Sequence, residues 1–149
     1  MNRLFALASV ATLFLGVAAT PSFADGGRQA ATLCYLWAHN SSPQLNTPYQ
    51  PDPDYSFNAV SGSGGISVTK TATGTYLVTC TGVGGGPLLG PGGHVQVSAY
   101  GTANTFCHVG GWNTFGTDFT ANVYCFGRGA APPGGPAPAD SQFDLLFVW

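Results

Sequence analysis

Beyond residue 31, apolar and polar side chains alternate through most of the chain with the two-residue period of strands that bury one face. The pattern is clearest in four segments: Gly74-Thr-Tyr-Leu-Val-Thr-Cys80, His94-Val-Gln-Val-Ser-Ala-Tyr-Gly101, Phe106-Cys-His-Val-Gly-Gly-Trp112 and Asn122-Val-Tyr-Cys-Phe126. Alternate positions place Tyr76, Val78 and Cys80 on one inward face, then Val95, Val97 and Ala99, then Cys107 and Val109, then Phe119, Ala121, Val123 and Cys125. Upstream, Ala31 to His39 reads as a first strand with Cys34, Leu36 and Ala38 on one face and Leu33, Tyr35 and Trp37 on the other. Ser141 to Trp149 reads as a last strand, with Phe143, Leu145 and Phe147 opposed to Leu146 and Val148. Both strands are apolar on both faces, which predicts central positions in their sheets.

Shorter strands are predicted at Tyr55 to Ala59 and Ile66 to Thr71, the latter joined to Thr75 to Cys80 by a tight turn at Ala72-Thr-Gly74. Asn40 to Asp54 contains four prolines, Pro43, Pro48, Pro51 and Pro53, and is predicted to be an extended surface loop, either a crossover between sheets or a binding loop. Gly82 to Gly93, Trp112 to Asp118 and Gly127 to Ala139 read as further loops. The glycines at 82 to 93 do not form a phosphate cradle, since neither Lys-Ser/Thr nor a helix start follows them. No sustained 3.6-residue apolar period follows the N-terminal segment. About eight short strands with Gly/Pro turns predict an all-β fold, a two-sheet antiparallel β-sandwich or jelly-roll-like arrangement.

The N-terminal segment has a different pattern. A basic Met1-Asn-Arg3, an apolar run from Leu4 to Ala19 and small residues before Asp25 in Pro21-Ser-Phe-Ala24 predict a secretory signal peptide over 1–24, leaving 25–149 as one β-sandwich domain. The apolar run is shorter than the roughly 20 residues of a spanning helix, so no membrane association is expected after cleavage. Secretion, extracellular or periplasmic, is therefore expected.

Charge narrows the partners. Past the leader only Arg28, Lys70 and Arg128 are basic, against six aspartates and no glutamate. Phosphate backbones and anionic membranes have no basic footprint to meet, so nucleic acid is not an expected partner. With 22 Gly and 11 Pro the composition raises disorder, but the strand-like alternation, in a chain with ten Phe, six Tyr and three Trp, supplies apolar surface to bury. The four cysteines, Cys34, Cys80, Cys107 and Cys125, all follow the leader. An even count in an oxidising compartment predicts disulfides, and four cysteines allow three pairings. No CxxC spacing marks a zinc site.

Tyr35-x-Trp-Ala38, Tyr55-Ser-Phe-Asn58, Gly74-x-Tyr-x-Val78, Val95-Gln-Val-x-Ala-Tyr-Gly101, Cys107 with Trp112, Val123-x-Cys-Phe126 and Asp140-Ser-x-Phe143 occur in an order that resembles a domain of exported bacterial proteins of uncharacterised function. The resemblance covers Tyr35 to Trp149. It implies secretion and a compact β-rich domain in which Cys107 faces Cys125, and it implies no chemistry. Cys34 and Cys80 depart from that pattern and read as a second, added pair. Each pair also shares the inward face of its strands, so the expected bridges are Cys107 with Cys125 and Cys34 with Cys80.

Candidate chemistry is sparse. His39, His94 and His108 are dispersed, no Gly-x-Ser-x-Gly elbow or Asp-Thr-Gly occurs, and Asp52-Pro-Asp54 offers too few oxygens for Ca²⁺. No cofactor or metal is expected. The aromatic residues in or beside loops, Tyr49, Tyr55, Trp112 and Phe115, are the candidate ligand-binding set, since such rings stack on sugar faces as well as filling cores. The expected function is a secreted, non-catalytic binding or structural domain of unknown ligand. The alternatives are a carbohydrate-binding module using Trp112 with Tyr49 and Tyr55, or a secreted hydrolase. The partner itself is not legible, a carbohydrate or a cell-surface component being the candidates.

Overall fold

The structure, a computed structural model, describes residues 32–85, 92–101, 104–114, 116–131 and 135–149. The predicted signal peptide and Phe115 lie outside the described residues, as do parts of the loops at 82–93 and 127–139. Ten strands form two antiparallel sheets packed face to face. In chain order they are β1 (Leu33–Ala38), β2 (Pro48–Tyr49), β3 (Phe57–Asn58), β4 (Ile66–Ala72), β5 (Thr75–Cys80), β6 (His94–Tyr100), β7 (Thr105–Asn113), β8 (Phe119–Ala131), β9 (Gly135–Pro138) and β10 (Gln142–Val148). The smaller sheet has the order β3-β1-β10-β6, and the larger has β2-β4-β5-β8-β7 with β9 paired to β8.

The alternation places the core. Cys34, Leu36, Ala38, Phe143, Leu145 and Phe147 from the smaller sheet meet Val68, Tyr76, Val78, Phe119, Ala121 and Val123 from the larger, all essentially excluded from solvent. Phe119 stacks on Phe147 at 4.1 Å between ring centroids, and Tyr76 lies against Phe143 at 5.2 Å. Each such ring contributes about 1.5–3 kcal/mol by burial.

Two clamps join the sheets at opposite ends. Cys34 of β1 is bonded to Cys80 of β5, and beside it the buried Asn58 amide donates to the Thr81 carbonyl at 2.9 Å. At the far end Asp140, which leads into β10, accepts from Lys70, from Gly74 N–H at 2.9 Å and from the Tyr76 hydroxyl, while Ser141 N–H donates to that same hydroxyl at 3.0 Å. Gly74 adopts φ +65°, and a Cβ there would lie 2.4 Å from the Cys125 carbonyl oxygen, so the β4–β5 turn requires glycine. Cys107 is bonded to Cys125 at directly opposed positions of β7 and β8, within the larger sheet.

Several boundaries differ from the sequence-based expectation. Trp112 lies on β7 and not in a loop: a bulge between Val109 and Gly111 carries the edge strand past Gly110 and restores pairing up to Asn113 opposite Thr120. β8 runs on to Ala131 and pairs with β9, so much of the segment expected as a loop after Gly127 is ladder, with Pro136 and Pro138 tolerated on an edge strand. Pro48 likewise sits on the edge strand β2, and the proline-rich segment is a crossover from β1 to the far sheet and back to β3. The strand expected at Tyr55 to Ala59 is only Phe57–Asn58, preceded by a single 3-10 turn at Pro53–Tyr55. Asp52 opens that turn by accepting from Asp54 N–H at 3.0 Å.

A candidate ligand groove on the outer face of the smaller sheet

Strand register builds the site. On β1, β10 and β6 the residues between the core positions point outward, and antiparallel pairing sets them in rows. One row is Trp37, Asp144 and Ser98; the next is Phe57, Tyr35, Leu146 and Gln96; Gln142 pairs with Tyr100 beyond them. Neighbours in a row are about 4.8 Å apart along the hydrogen-bonding direction, and successive rows about 6.7 Å apart along the strands.

The rings form walls. Tyr55, delivered by the 3-10 turn, meets Trp37 edge to face at 5.4 Å and 89°, and Tyr100 meets it from β6 at 5.2 Å and 63°. Tyr35 stacks on Phe57 at 5.9 Å. Although in contact, these rings stay open to solvent, with Tyr55 61 %, Tyr100 51 % and Tyr35 40 % exposed. Between them runs a groove of about 650 Å³, floored by Leu146, Asp144, Ser98 and Gln96 and edged by Asp54.

The floor is polar and unengaged. The side chains of Asp144, Ser98 and Gln96 make no hydrogen bond or ion pair with any other described residue. All three are exposed, but the desolvation that Asp144 does undergo, with no described donor to offset it, raises its carboxyl above its ordinary value. Trp37 Nε1 is buried without a partner among the described residues. Apolar ring faces beside free acceptors and donors suit a ligand with an apolar face and many hydroxyls.

The structure disperses the residues singled out from sequence. Tyr55 is in the groove. Tyr49 lies on β2 of the other sheet, half-buried, edge-on to His39 at 5.9 Å, its phenol raised by burial and by the nearby Tyr76. Trp112 is exposed on β7, and its indole N–H is spent on the Gly92 carbonyl at 3.2 Å. Gly92 and Gly85 both lie against the Trp149 ring, which leaves no room for a Cβ at Gly85. The histidines remain apart: His39 packs beside Trp37 and Tyr49, His94 opens β6, and His108 stacks on Phe126. No group of three or more His, Cys, Asp or Glu side chains is placed to hold a metal among the described residues.

Tyr35, Trp37, Tyr100, Gln96, Ser98 and Asp144 were missed as site residues. The available signal was the aromatic character of the second face of β1, read as burial when half of it is groove. No family model, curated protein or solved structure matches the chain.

Proposed function

We propose that this chain is an exported, non-catalytic binding domain, and that it binds through the groove on the outer face of the smaller sheet. The observation that carries the reading is the row Trp37, Asp144 and Ser98: a half-buried indole flanked by the exposed rings of Tyr55 and Tyr100, beside polar side chains that no other described residue pairs. Two disulfides in an all-β domain fit an oxidising compartment. Among the described residues no helix is long and apolar enough to cross a membrane.

Material recovered from the periplasm or medium of an expressing host is expected to begin at Asp25, and protein retaining Met1 would overturn export by the leader. Turnover of generic ester, peptide and glycoside substrates is expected to be absent. Turnover abolished by changing His39, His108 or Asp144 would overturn the non-catalytic reading in favour of a hydrolase.

A further inference from the structure

The ligand class follows from the chemistry of the floor, given the groove as binding site. We propose that the groove takes an uncharged oligosaccharide, with sugar rings laid against Tyr100, Trp37 and Tyr55 and hydroxyls bonded to Asp144, Ser98 and Gln96. This rests on the binding reading above and deepens it.

Charge is the first argument. Asp54 and Asp144 line the groove and, among the described residues, no basic side chain does, so sulfated, phosphorylated or uronic acid chains would meet like charge there. Donor and acceptor balance is the second. Asp144, as a carboxylate, only accepts, and no described residue donates to it. Sugar hydroxyls donate, and a hydroxyl pair can satisfy both carboxylate oxygens. A proline-rich peptide, the other ligand class that aromatic grooves hold, offers mainly carbonyl acceptors and few N–H groups, and would leave the carboxylate buried and unmet.

Size and ring geometry supply the third. A quaternary ammonium needs a narrow cage of ring faces around one point, whereas Tyr55 and Tyr100 each meet Trp37 edge-on, at 5.4 and 5.2 Å, and wall an open groove. That groove, about 650 Å³, is in the range of roughly 300–1,000 Å³ typical of small-molecule sites. That volume suits more than one sugar ring. The apolar face of a pyranose presents polarised C–H groups to the negative face of an aromatic ring, and Tyr35, Tyr55 and Tyr100 are exposed rings that line the groove.

The test is titration of the exported protein with cellohexaose, mannohexaose and chitohexaose as neutral probes and hexagalacturonate as the anionic one, followed by NMR and calorimetry. A neutral hexasaccharide is expected to shift the Trp37 indole resonance. Tyr100→Ala and Asp144→Asn are each expected to weaken it at least tenfold with the thermal midpoint nearly unchanged, and Trp112→Ala to leave it unchanged. Binding lost on Trp112→Ala with the fold intact would place the sugar on the other sheet and overturn the inference, as would preference for hexagalacturonate. If no neutral probe moves the groove but a Pro-x-x-Pro peptide or tetramethylammonium does, the carbohydrate class fails and the binding site stands. If no probe of any class moves it, or sedimentation shows the face closed in a dimer, the binding reading fails too.

Discussion

Both sheets carry aromatic rings on their outer faces, and the two sets differ in what surrounds them. On the larger sheet the rings complete one another: Phe106 stacks on Phe126 at 5.5 Å, His108 lies parallel to Phe126 at 5.6 Å, and Tyr124 packs edge-on to His108. Tyr124 also covers Gly110, where a Cβ would sit 2.2 Å from its ring, so the phenol fills the place of a missing side chain on an edge strand. On the smaller sheet Trp37, Tyr55 and Tyr100 touch only at edges and stand over unpaired Asp144, Ser98 and Gln96. Exposed aromatics alone therefore do not mark a site. What separates the two faces is packing: the rings of the larger sheet stack face to face, whereas those of the smaller sheet wall a groove with a carboxylate on its floor.

Both faces rest on one frame, in which the Cys34–Cys80 disulfide joins the two sheets and the Cys107–Cys125 disulfide lies within the larger one. The largest expected effect comes from removing them. Cys34→Ser with Cys80→Ser opens a bridge spanning 46 residues, worth about 4 kcal/mol in the chain-entropy account, while Cys107→Ser with Cys125→Ser opens one spanning 18, worth about 3 kcal/mol. Urea titrations of the two double variants are expected to show the first less stable, with the groove losing its shape because the smaller sheet is freed at that end. A reversed order would mean that the bridge between the sheets does not hold the groove.

Next in size is the polar clamp at the other end. Burial alone would raise the Asp140 carboxyl, but Gly74 N–H, the Lys70 ammonium and the Tyr76 hydroxyl outweigh it and hold the group below its ordinary value. Because the folded value is depressed, the clamp contributes fully above the ordinary carboxylate range and is lost as pH falls through the lowered value. Asp140→Asn is expected to cost about 2 kcal/mol near neutrality by breaking a partly buried, charge-assisted pair. In acid its stability should converge on that of the wild type, and a gap unchanged from neutral to acid pH would show that the charge on Asp140 does not matter.

The frame was more legible in the sequence than the site, for a physical reason. Period-2 alternation reports which face of a strand is buried, and it put Tyr76, Val78, Cys80, Phe119, Ala121 and Val123 on inward faces, where they are found. The same alternation gave both cysteine pairs their common face. It does not report what the opposite face does. The outer residues of β1 and β10, among them Tyr35, Trp37 and Leu146, looked like the second buried side of central strands, and the strands are indeed interior. The groove depends on cross-strand neighbours, Trp37 beside Asp144 beside Ser98, which come from segments more than forty residues apart and are brought together only by register. Trp112 was misleading because a bulge after Val109, invisible to strict alternation, keeps it on a strand and ties its N–H to Gly92.

Removing one ring from each face separates their roles directly. Tyr124→Ala uncovers Gly110 and breaks the ring ladder, with an expected loss of about 1–2 kcal/mol in stability and no change in ligand binding. Tyr100→Ala, at 51 % exposure, is expected to cost about 0.5 kcal/mol in stability and to be felt in binding. Equal stability losses for the two, measured by thermal unfolding, would erase the distinction between a closed and an open aromatic face.

The smallest effect is the most specific to the groove. Asp144 is raised by desolvation without a compensating donor, so in the free protein its charged form is disfavoured by folding. A carboxyl whose folded value lies above its unfolded one binds its proton more readily when folded, so this residue destabilises the native state at neutral pH and the penalty fades as pH falls through the raised value. Asp144→Asn removes the charge and is expected to leave the protein slightly more stable than wild type at neutral pH and equal to it in acid, the opposite pH trend from Asp140→Asn. A carboxylate kept at such a cost on the groove floor is accounted for if a bound ligand donates to it. With a neutral hexasaccharide present, the order of the two proteins at neutral pH is therefore expected to reverse, because only the wild type retains both carboxylate oxygens for the ligand. If Asp144→Asn proves less stable than wild type without ligand, Asp144 has a partner within the fold, and the contrast between the two faces loses its main support.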